Sequence, residues 1–320
     1  MDDSDIPFVK ESKEVELYTK KEKNMEIKKS GMVAIIGRPN VGKSTLINAF
    51  AGEKIAIVSD KPQTTRNRIC GIINREDTQY VFLDTPGIHK PKSHLGEYMV
   101  KVAGDSISDV DAILMLVAPV ANIGEIEKGI IERISQSNVP VILLINKIDT
   151  VEKTDIFPVI EAYSKAYSFD AIIPISAERR DGLETIYHEL DEFIPEGGAL
   201  FPEDMISDQP EKQMVSEIIR EKLLRLLNHE IPHGTAVEIT RFTERENGII
   251  DVVATIYCEK DTHKGIIIGK RGAMLKRVGE SARRDIEKFM GTKVYLETWV
   301  KVKENWRDND VLIKNFGYEL

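Results

Sequence analysis

The sequence predicts an α/β fold: a P-loop domain with a mostly parallel sheet, followed by a smaller α+β domain. At 320 residues the chain is longer than one hydrophobic core usually supports. Up to residue 195, apolar runs alternate with amphipathic stretches, which is typical of βαβ units. A segment rich in Pro and Gly interrupts this alternation, and the pattern beyond it reads α-β-β-α-α-β.

Six apolar runs in the first part of the chain predict strands. They cover residues 32–36, 68–74, 80–83, 112–117, 139–145 and 171–175. Amphipathic stretches such as 125–135 and 181–193 have the period of helices that cross between parallel strands. Ligands of such sheets bind beyond the carboxyl ends of the strands, and the glycine-rich and polar loops of this chain lie there.

The same features divide the chain into five segments. We expect a charged N-terminal extension (1–28), a first domain (29–195), a linker (196–210), a second domain (211–305) and a C-terminal tail (306–320). Residues 1–30 hold eight acidic and seven basic side chains and no long apolar stretch, which predicts a mobile or fraying segment rather than a signal peptide. No pattern places the tail.

Composition narrows the class of protein. The hydrophobic fraction of 42% and the charged fraction of 30% are typical of a soluble globular chain. No apolar run approaches the roughly 20 residues that span a bilayer. Cys70 and Cys258 are far apart in strand-like surroundings, which indicates buried thiols in a reducing compartment. The net charge of −9 alone disfavours a nucleic-acid partner, but the charge is unevenly distributed.

A phosphate-binding loop is predicted between the first strand and the helix after it, where residues 37–44 read G-R-P-N-V-G-K-S. The glycines let backbone N–H groups wrap a phosphate chain, and the helix N-terminus adds its positive end. Lys43 would neutralise the β- and γ-phosphates, and Ser44 would bind Mg²⁺. The nucleotide-binding residues expected here are Gly37, Arg38, Pro39, Asn40, Val41, Gly42, Lys43, Ser44 and Thr45.

Three further loops follow strand ends and match the needs of a guanine-nucleotide switch. In D-T-P-G (84–87), Asp84 can hold Mg²⁺ and the Gly87 N–H can sense the γ-phosphate. In N-K-I-D (146–149), Asp149 can accept two N–H bonds from guanine, a pairing that adenine cannot supply. Ser176-Ala177, after the strand-like run that ends at residue 175, can offer a backbone N–H to the guanine carbonyl. Each string is common by itself, but their order at strand ends predicts GTP. The expected contacts are Asp84, Thr85, Pro86, Gly87, Ile88, Asn146, Lys147, Asp149, Ser176 and Ala177.

A switch threonine is expected in K-P-Q-T-T-R (61–66), because a GTPase needs a hydroxyl that reaches Mg²⁺ and the γ-phosphate in the triphosphate state. We predict Thr65, with Thr64 as the alternative. The metal ligands are then Ser44, Thr65 and Asp84, and the groups expected to act in catalysis are Lys43, Thr65 and Gly87.

Ile88 stands where Ras-type enzymes carry a glutamine that orients the attacking water. Isoleucine cannot orient water. We therefore expect slow intrinsic hydrolysis, with the water held by backbone groups, a monovalent cation or a partner.

The second domain carries a candidate RNA-binding loop, G-K-R-G (269–272), between two helical stretches. Glycines allow close approach of an RNA backbone while basic side chains meet phosphates, as in KH modules. Residues 260–288 hold nine Lys or Arg against four Asp or Glu, a basic region in an acidic protein. The element order resembles a type II KH domain. The RNA-binding residues expected are Lys264, Gly269, Lys270, Arg271, Gly272, Lys276 and Arg277.

Together these motifs resemble the Era GTPases, ribosome-associated relatives of Ras, over about residues 29–302. E-I-I-R-E-K (217–222) is also similar to that family and is not a general GTPase feature. The resemblance implies a monomer that binds small-subunit ribosomal RNA near its 3′ end, assists maturation of the small ribosomal subunit in the cytoplasm, and makes peripheral contact with the inner membrane. It also makes Ile88 the family's own pattern and matches Asn40 to an asparagine that supports K⁺ binding in related GTPases. The N-terminal extension is longer than the family usually carries.

The leading hypothesis is a GTP-dependent RNA-binding switch that needs Mg²⁺ and is reset by hydrolysis to GDP. One alternative is an RNA-binding module whose nucleotide is structural. Another is a membrane-associated GTPase whose basic C-terminal face meets anionic lipid, although the G-x-x-G loop favours RNA.

Overall fold

The computed structural model describes residues 26–88, 91, 93–106 and 109–318. The predicted N-terminal extension lies outside the described residues except for 26–28. These three residues contact the first domain, since Ile27 is buried and the Lys28 N–H donates to the Asp77 carbonyl at 2.7 Å.

Strands and helices alternate through the first domain. Its elements are β1 (Lys29–Ile36), α1 (Lys43–Ala51), β2 (Ile69–Arg75), β3 (Thr78–Asp84), α2 (His94–Asp105), β4 (Ala112–Val117), α3 (Glu125–Ile134), β5 (Val141–Ile145), α4 (Ile156–Ala166), β6 (Ala171–Pro174) and α5 (Leu183–Leu190). The sheet order is β2-β3-β1-β4-β5-β6, and every neighbouring pair is parallel except β2 with β3. The predicted fold class is confirmed.

The central strands explain why this sheet is parallel and covered on both faces. Every residue of β4 and β5 is buried, and both strands are continuous apolar runs rather than alternating ones. Because β1, β3, β4, β5 and β6 run in the same direction, the loops that follow them meet at one edge of the sheet. The phosphate-binding loop, D-T-P-G, N-K-I-D and Ser176-Ala177 all lie at this edge.

Residues 196–210 pack along the outer edge of β2. The Ile72 N–H donates to the Ile206 carbonyl at 2.9 Å, and the Cys70 N–H donates to Asp208 Oδ1 at 3.1 Å. Gly71 and Ser207 form an antiparallel bridge. The predicted linker therefore covers an edge strand whose backbone groups would otherwise face solvent.

The second domain packs three helices against a three-stranded sheet. Its elements are α6 (Glu211–Leu226), β7 (Ala236–Glu244), β8 (Ile250–Cys258), α7 (Asp261–Ile268), α8 (Ala273–Met290) and β9 (Val294–Val302). The strand order is β7-β8-β9, with the first pair antiparallel and the second parallel. This is the α-β-β-α-α-β order that the sequence pattern predicts.

The C-terminal tail packs between the two domains. A single 3₁₀ turn (Trp306–Asp308) leads into α9 (Asp310–Asn315). Trp306 is fully buried, and its Nε1 donates to the Gly234 carbonyl at 2.9 Å. The buried cluster around it draws on both domains and comprises Leu95, Met99, Ala236, Tyr257, Trp306, Ile313, Phe316 and Tyr318. Sequence patterns could not place this segment because its partners are distant in the chain.

Candidate functional site

The loop after β1 needs glycine at its two ends. Gly37 has φ 153°, and an added Cβ would lie 2.4 Å from the Leu116 carbonyl oxygen. Gly42 has φ 105°, and an added Cβ would lie 2.2 Å from Asn146 Nδ2. Side chains at these positions would displace the neighbouring strand or the N-K-I-D loop, so glycine keeps the phosphate-binding loop in contact with both.

Lys43 lies beneath this loop, at the start of α1. Its Nζ donates to the Gly37 carbonyl at 3.1 Å and to the Arg38 carbonyl at 3.2 Å. Burial lowers the pKa of Lys43 to about 8, while the nearby Asp84 carboxylate acts in the opposite direction. A buried ammonium with neutral acceptors is poised for the strong negative charge of a phosphate chain.

Ser44, Thr65 and Asp84 converge as the sequence predicts for metal ligands. Asp84 Oδ2 accepts from Ser44 Oγ at 2.7 Å and from Thr65 Oγ1 at 3.3 Å, and the two hydroxyl oxygens are 2.8 Å apart. Asp84 is fully buried, and its Oδ1 has no hydrogen-bond partner among the described residues. This set of hard oxygens with a buried, unpaired carboxylate oxygen suits Mg²⁺.

The geometry also separates the two candidate switch threonines. Thr64 Oγ1 donates to the Lys61 carbonyl at 2.6 Å, which uses its hydroxyl within a turn of its own loop. Thr65 is buried and faces Ser44 and Asp84. This arrangement favours Thr65 as the metal ligand.

Asn146 joins three loops at the base-binding end of the site. Its Nδ2 donates to the Val41 carbonyl at 2.8 Å, and its Oδ1 accepts from the N–H groups of Lys147 at 2.8 Å and Ala177 at 3.0 Å. A backbone N–H of Ser176-Ala177 was expected to face the guanine carbonyl, and the structure shows that the Ala177 N–H donates to Asn146 instead. A role of Asn146 in organising the neighbouring loops could not be seen in the sequence.

Asp149 lies beside Ser176, whose Oγ donates to Asp149 Oδ1 at 2.6 Å. This hydrogen bond is the main cause that lowers the pKa of Asp149, and Arg179, with its Nε 3.9 Å from Oδ2, acts in the same direction. An ionised carboxylate accepts hydrogen bonds only, as recognition of two guanine N–H groups requires. Lys147 Nζ donates to the Asn40 carbonyl at 2.7 Å and so connects this loop to the phosphate loop.

The D-T-P-G loop packs closely against the phosphate loop. Thr85 Oγ1 donates to the Ile35 carbonyl at 2.9 Å, and an added Cβ at Gly87 would lie 2.9 Å from backbone atoms of Pro39. The Ile88 N–H donates to the Gly37 carbonyl at 3.3 Å, while its side chain packs against a buried apolar cluster. Ile88 therefore contributes backbone and packing at this position.

The loop before β2 encloses the site from the side of the second domain. One pocket is lined by the phosphate loop, by Gly87 and by residues of this loop, namely Val58, Ser59, Gln63, Thr64 and Thr65. Asn40 Nδ2 donates to the Asp60 carbonyl at 2.6 Å across the pocket rim. The loop also contacts α6, where Arg220 and Arg225 donate to its backbone carbonyls. The sequence motifs assigned no function to these two arginines.

The G-K-R-G loop joins α7 to α8 and has positive φ angles at Gly269 (72°), Arg271 (54°) and Gly272 (78°). An added Cβ at Gly269 would lie 2.7 Å from the Met274 Cβ, whereas one at Gly272 would meet no atom within 4 Å. Gly269 thus packs the loop onto α8, and Gly272 leaves its outer surface open. Lys270, Arg271, Lys276 and Arg277 are exposed, and Lys264 is half-buried.

Comparisons with known proteins agree with this two-part architecture. Residues 32–147 match the family model described as a 50S ribosome-binding GTPase, and residues 230–307 match that of the KH domain. GTPase Era of Ruminiclostridium cellulolyticum is 54% identical over 291 residues, which cover 91% of this chain and 98% of that protein. GTPase Era of Clostridioides difficile is 52% identical over 292 residues, with 91% and 98% covered.

Two solved structures are similar over nearly the whole chain. A crystal structure of Era in complex with MgGDPNP and nucleotides 1506–1542 of 16S ribosomal RNA gives a TM-score of 0.88 at 39% identity, covering 92% of this chain and 100% of that one. A variant of Aquifex aeolicus Era bound to GDP·AlF₄⁻ gives 0.88 at 39% identity, covering 91% and 100%. The predicted family is therefore confirmed, and this chain belongs to the Era family of GTPases.

Proposed function

We propose that the protein hydrolyses GTP to GDP and phosphate and uses this reaction to control RNA binding. The observation that carries the proposal is the convergence of Ser44, Thr65 and Asp84 beside the phosphate loop. Lys43 and the loop N–H groups bind the β- and γ-phosphates, and Asp149 selects guanine. When bound, Mg²⁺ neutralises charge on the phosphate oxygens.

In this reaction the protein acts mainly by positioning and by stabilising charge. Water attacks the γ-phosphorus, the bond to the β–γ bridging oxygen breaks, and that oxygen leaves with GDP. Lys43 stabilises the charge that develops on the phosphates, and the Gly87 N–H faces the transferred group. Because Ile88 stands in place of the glutamine that orients water, we expect slow intrinsic hydrolysis.

The RNA partner is the 3′ region of small-subunit ribosomal RNA, and the role is maturation of the small ribosomal subunit. Support comes from the exposed basic side chains of the G-K-R-G loop and from the Era complex with nucleotides 1506–1542 of 16S ribosomal RNA. The RNA-contacting residues are Lys264, Gly269, Lys270, Arg271, Gly272, Lys276 and Arg277.

The GTP state orders the Thr65 and Asp84 loops and alters how the second domain docks, so the nucleotide controls RNA engagement. Direct contacts between the Thr65 loop and α6 support this coupling. Equal RNA affinity in the GDP state and with a nonhydrolysable GTP analogue would contradict it.

K⁺ is a further cofactor in this proposal, with Asn40 as the residue that supports its binding. Hydrolysis in K⁺ and in Na⁺ at equal ionic strength tests this, with Asn40→Ala as the variant. Faster hydrolysis in K⁺ that Asn40→Ala abolishes is the expected result.

We place the protein in the cytoplasm as a monomer, with peripheral contact at the cytoplasmic face of the cell membrane. No helix in the described part of the chain is long and apolar enough to cross a membrane. Liposome pelleting with and without RNA, using the Lys270→Ala/Arg271→Ala variant, tests whether lipid and RNA compete for the same basic surface.

Single-turnover GTP hydrolysis compared with Lys43→Ala tests the enzyme directly. A wild-type rate no higher than that of the variant would indicate a structural nucleotide instead. Crosslinking with sequencing in the GTP and GDP states identifies the bound RNA and tests the switch together.

A further inference from the structure

The E-I-I-R-E-K segment of α6 packs against the loop that carries Thr65. Arg220, at the centre of the segment, is fully buried. Its Nη2 donates to the Thr64 carbonyl, and its Nη1 donates to the Gln63 carbonyl at 3.4 Å. One side chain of the second domain therefore holds the backbone of the two residues that precede Thr65.

On the other side of Thr65, a side chain of the loop itself reaches into the second domain. Arg66 is 1% exposed and reaches into the second domain, where Nη1 donates to the Thr235 carbonyl at 2.8 Å and Nη2 to the His233 carbonyl at 2.9 Å. Nη1 also donates to the Tyr318 hydroxyl at 3.0 Å. Both neighbours of Thr65 are thus fixed to the second domain or the tail.

Arg220 is itself oriented before it contacts the loop. Its Nε donates to Glu217 Oε1 at 2.8 Å, and its Nη2 lies 2.5 Å from Glu217 Oε2. This two-point pairing fixes the plane of the guanidinium, which lysine cannot reproduce. The ion pair compensates the buried charge, and the remaining N–H donors are directed at the loop carbonyls.

We propose that Arg220 is a positioning residue for GTP hydrolysis, which holds the Gln63–Thr64 backbone so that the Thr65 hydroxyl stays in the Mg²⁺ site. This inference rests on the proposed GTPase function. It gives the E-I-I-R-E-K segment a role in the nucleotide site. In this proposal α6 packs against the loop that carries Thr65 and supports Thr65 as a metal ligand.

The test compares Arg220→Lys with Arg225→Lys. Arg225 lies on the same helix and donates to the Val58 carbonyl of the same loop at 2.9 Å, but Val58 lies seven residues before Thr65, whereas Arg220 holds the two residues next to it. The measurements are single-turnover GTP hydrolysis across a Mg²⁺ titration, and the affinities for GDP and for a nonhydrolysable GTP analogue.

For Arg220→Lys we expect hydrolysis to fall by about 10- to 100-fold, and the Mg²⁺ concentration at half-maximal rate to rise by a similar factor. Affinity for GDP should change less than about twofold, because Thr65 contacts the metal in the triphosphate state. Arg225→Lys should match the wild type in hydrolysis rate, in the Mg²⁺ concentration at half-maximal rate and in GDP affinity. Equal Mg²⁺ dependence in the two variants would overturn the proposal.

The binding measurement separates this inference from the proposed function. If the wild type hydrolyses no GTP but Arg220→Lys still loses Mg²⁺-dependent affinity for the analogue, positioning stands and the GTPase proposal fails. If the wild type hydrolyses GTP and Arg220→Lys leaves hydrolysis and analogue binding unchanged, positioning fails and the GTPase stands.

If Arg220→Lys does not fold, a variant that replaces the whole ion pair provides a second test. Glu217→Leu/Arg220→Met removes the contacts to the loop carbonyls, while replacement of a buried pair by apolar residues is often neutral or stabilising. The same loss of rate and the same Mg²⁺ shift in this double variant would support the proposal, and wild-type values would contradict it.

Discussion

The Ser44 and Thr65 hydroxyl oxygens lie 2.8 Å apart, although Ser44 is in the first turn of α1 and Thr65 lies in the loop before β2. Both contact Oδ2 of Asp84, at the end of β3. Three segments thus bring side-chain oxygens together on one side of the phosphate loop, at the proposed Mg²⁺ site. Hydrogen bonds to the second domain hold the Thr65 loop, so both domains support this proposed site.

Replacement of Asp84 by Asn should lower the rate of hydrolysis without lowering the stability of the fold. The amide keeps the size of the side chain but loses the charge that Mg²⁺ needs, so hydrolysis should fall about 100-fold or more. Burial raises the pKa of Asp84, so the folded state stabilises the charged carboxylate less than water does. The free energy of unfolding without nucleotide should therefore stay the same or increase in Asp84→Asn. A clear loss of stability in denaturant titrations would assign Asp84 a structural role.

Nucleotide binding near pH 8 should take up protons at Lys43. Burial lowers the pKa of Lys43 from 10.5 to about 8 in the nucleotide-free protein, and phosphate charge favours the ammonium. At pH 8 about half a proton should therefore be bound per nucleotide. Calorimetry in buffers of different ionisation enthalpy measures this uptake.

The matched variant is Lys43→Arg, which stays charged and should abolish the proton uptake at any remaining binding. The same shift predicts the pH dependence of folding. Between pH 8 and 10.5 the unfolded chain binds more protons at this residue than the folded chain, so its contribution to stability rises with pH across that window. Uptake that persists in Lys43→Arg would place the titrating group elsewhere.

The Asp149→Asn substitution should change base specificity. In the proposed site the Asp149 carboxylate accepts from two guanine N–H groups, whereas an amide offers one acceptor and one donor. Affinity for GDP should fall about 100-fold or more, and a xanthine nucleotide, which carries a carbonyl in place of the guanine amino group, should bind better than GDP. Fluorescent nucleotide titrations measure both. Ser176→Ala removes the hydrogen bond to Asp149 and the acceptor of the Arg179 N–H, but it keeps the carboxylate and should retain the preference for guanine.

The two tryptophans provide a matched test of the tail. Trp306 is fully buried between the domains, whereas Trp299 on β9 is 56% exposed. Trp306→Ala should lower the free energy of unfolding by about 3–5 kcal/mol. Trp299→Ala should change it by less than about 0.5 kcal/mol. Urea titrations followed by circular dichroism distinguish them, and equal effects would mean that the tail does not join the domains in solution.

Neutralising the G-K-R-G loop should weaken RNA binding through phosphate contacts. For Lys270→Ala/Arg271→Ala, the slope of log affinity against log salt for single-stranded RNA should shrink by about 1.4. Lys165→Ala removes an exposed lysine on α4 and should leave affinity and slope unchanged. An unchanged slope in the double variant would place the RNA contact on another surface.

Local patterns were sufficient for much of the fold. Continuous apolar runs identified β4 and β5, and the α-β-β-α-α-β order of the second domain followed from periodicity and turn residues. The position of the tail was not predictable, because Trp306 and Phe316 are buried against residues of α2, β7 and β8 that are distant in the chain. The segment 196–210 was identified as a linker by composition, yet its pairing with β2 depends on a strand more than 100 residues earlier.

The sequence by itself determined the chemistry available to this protein, because the phosphate loop, Asp84, Asp149 and the G-K-R-G loop carry it in short strings whose spacing is set by local backbone geometry. The tertiary structure decided which threonine faces Asp84, and it showed that Arg66 and Arg220 fix that threonine from both sides. These contacts join residues more than 150 positions apart. Only the packing of one domain on the other brings them together, and local sequence patterns do not encode that packing.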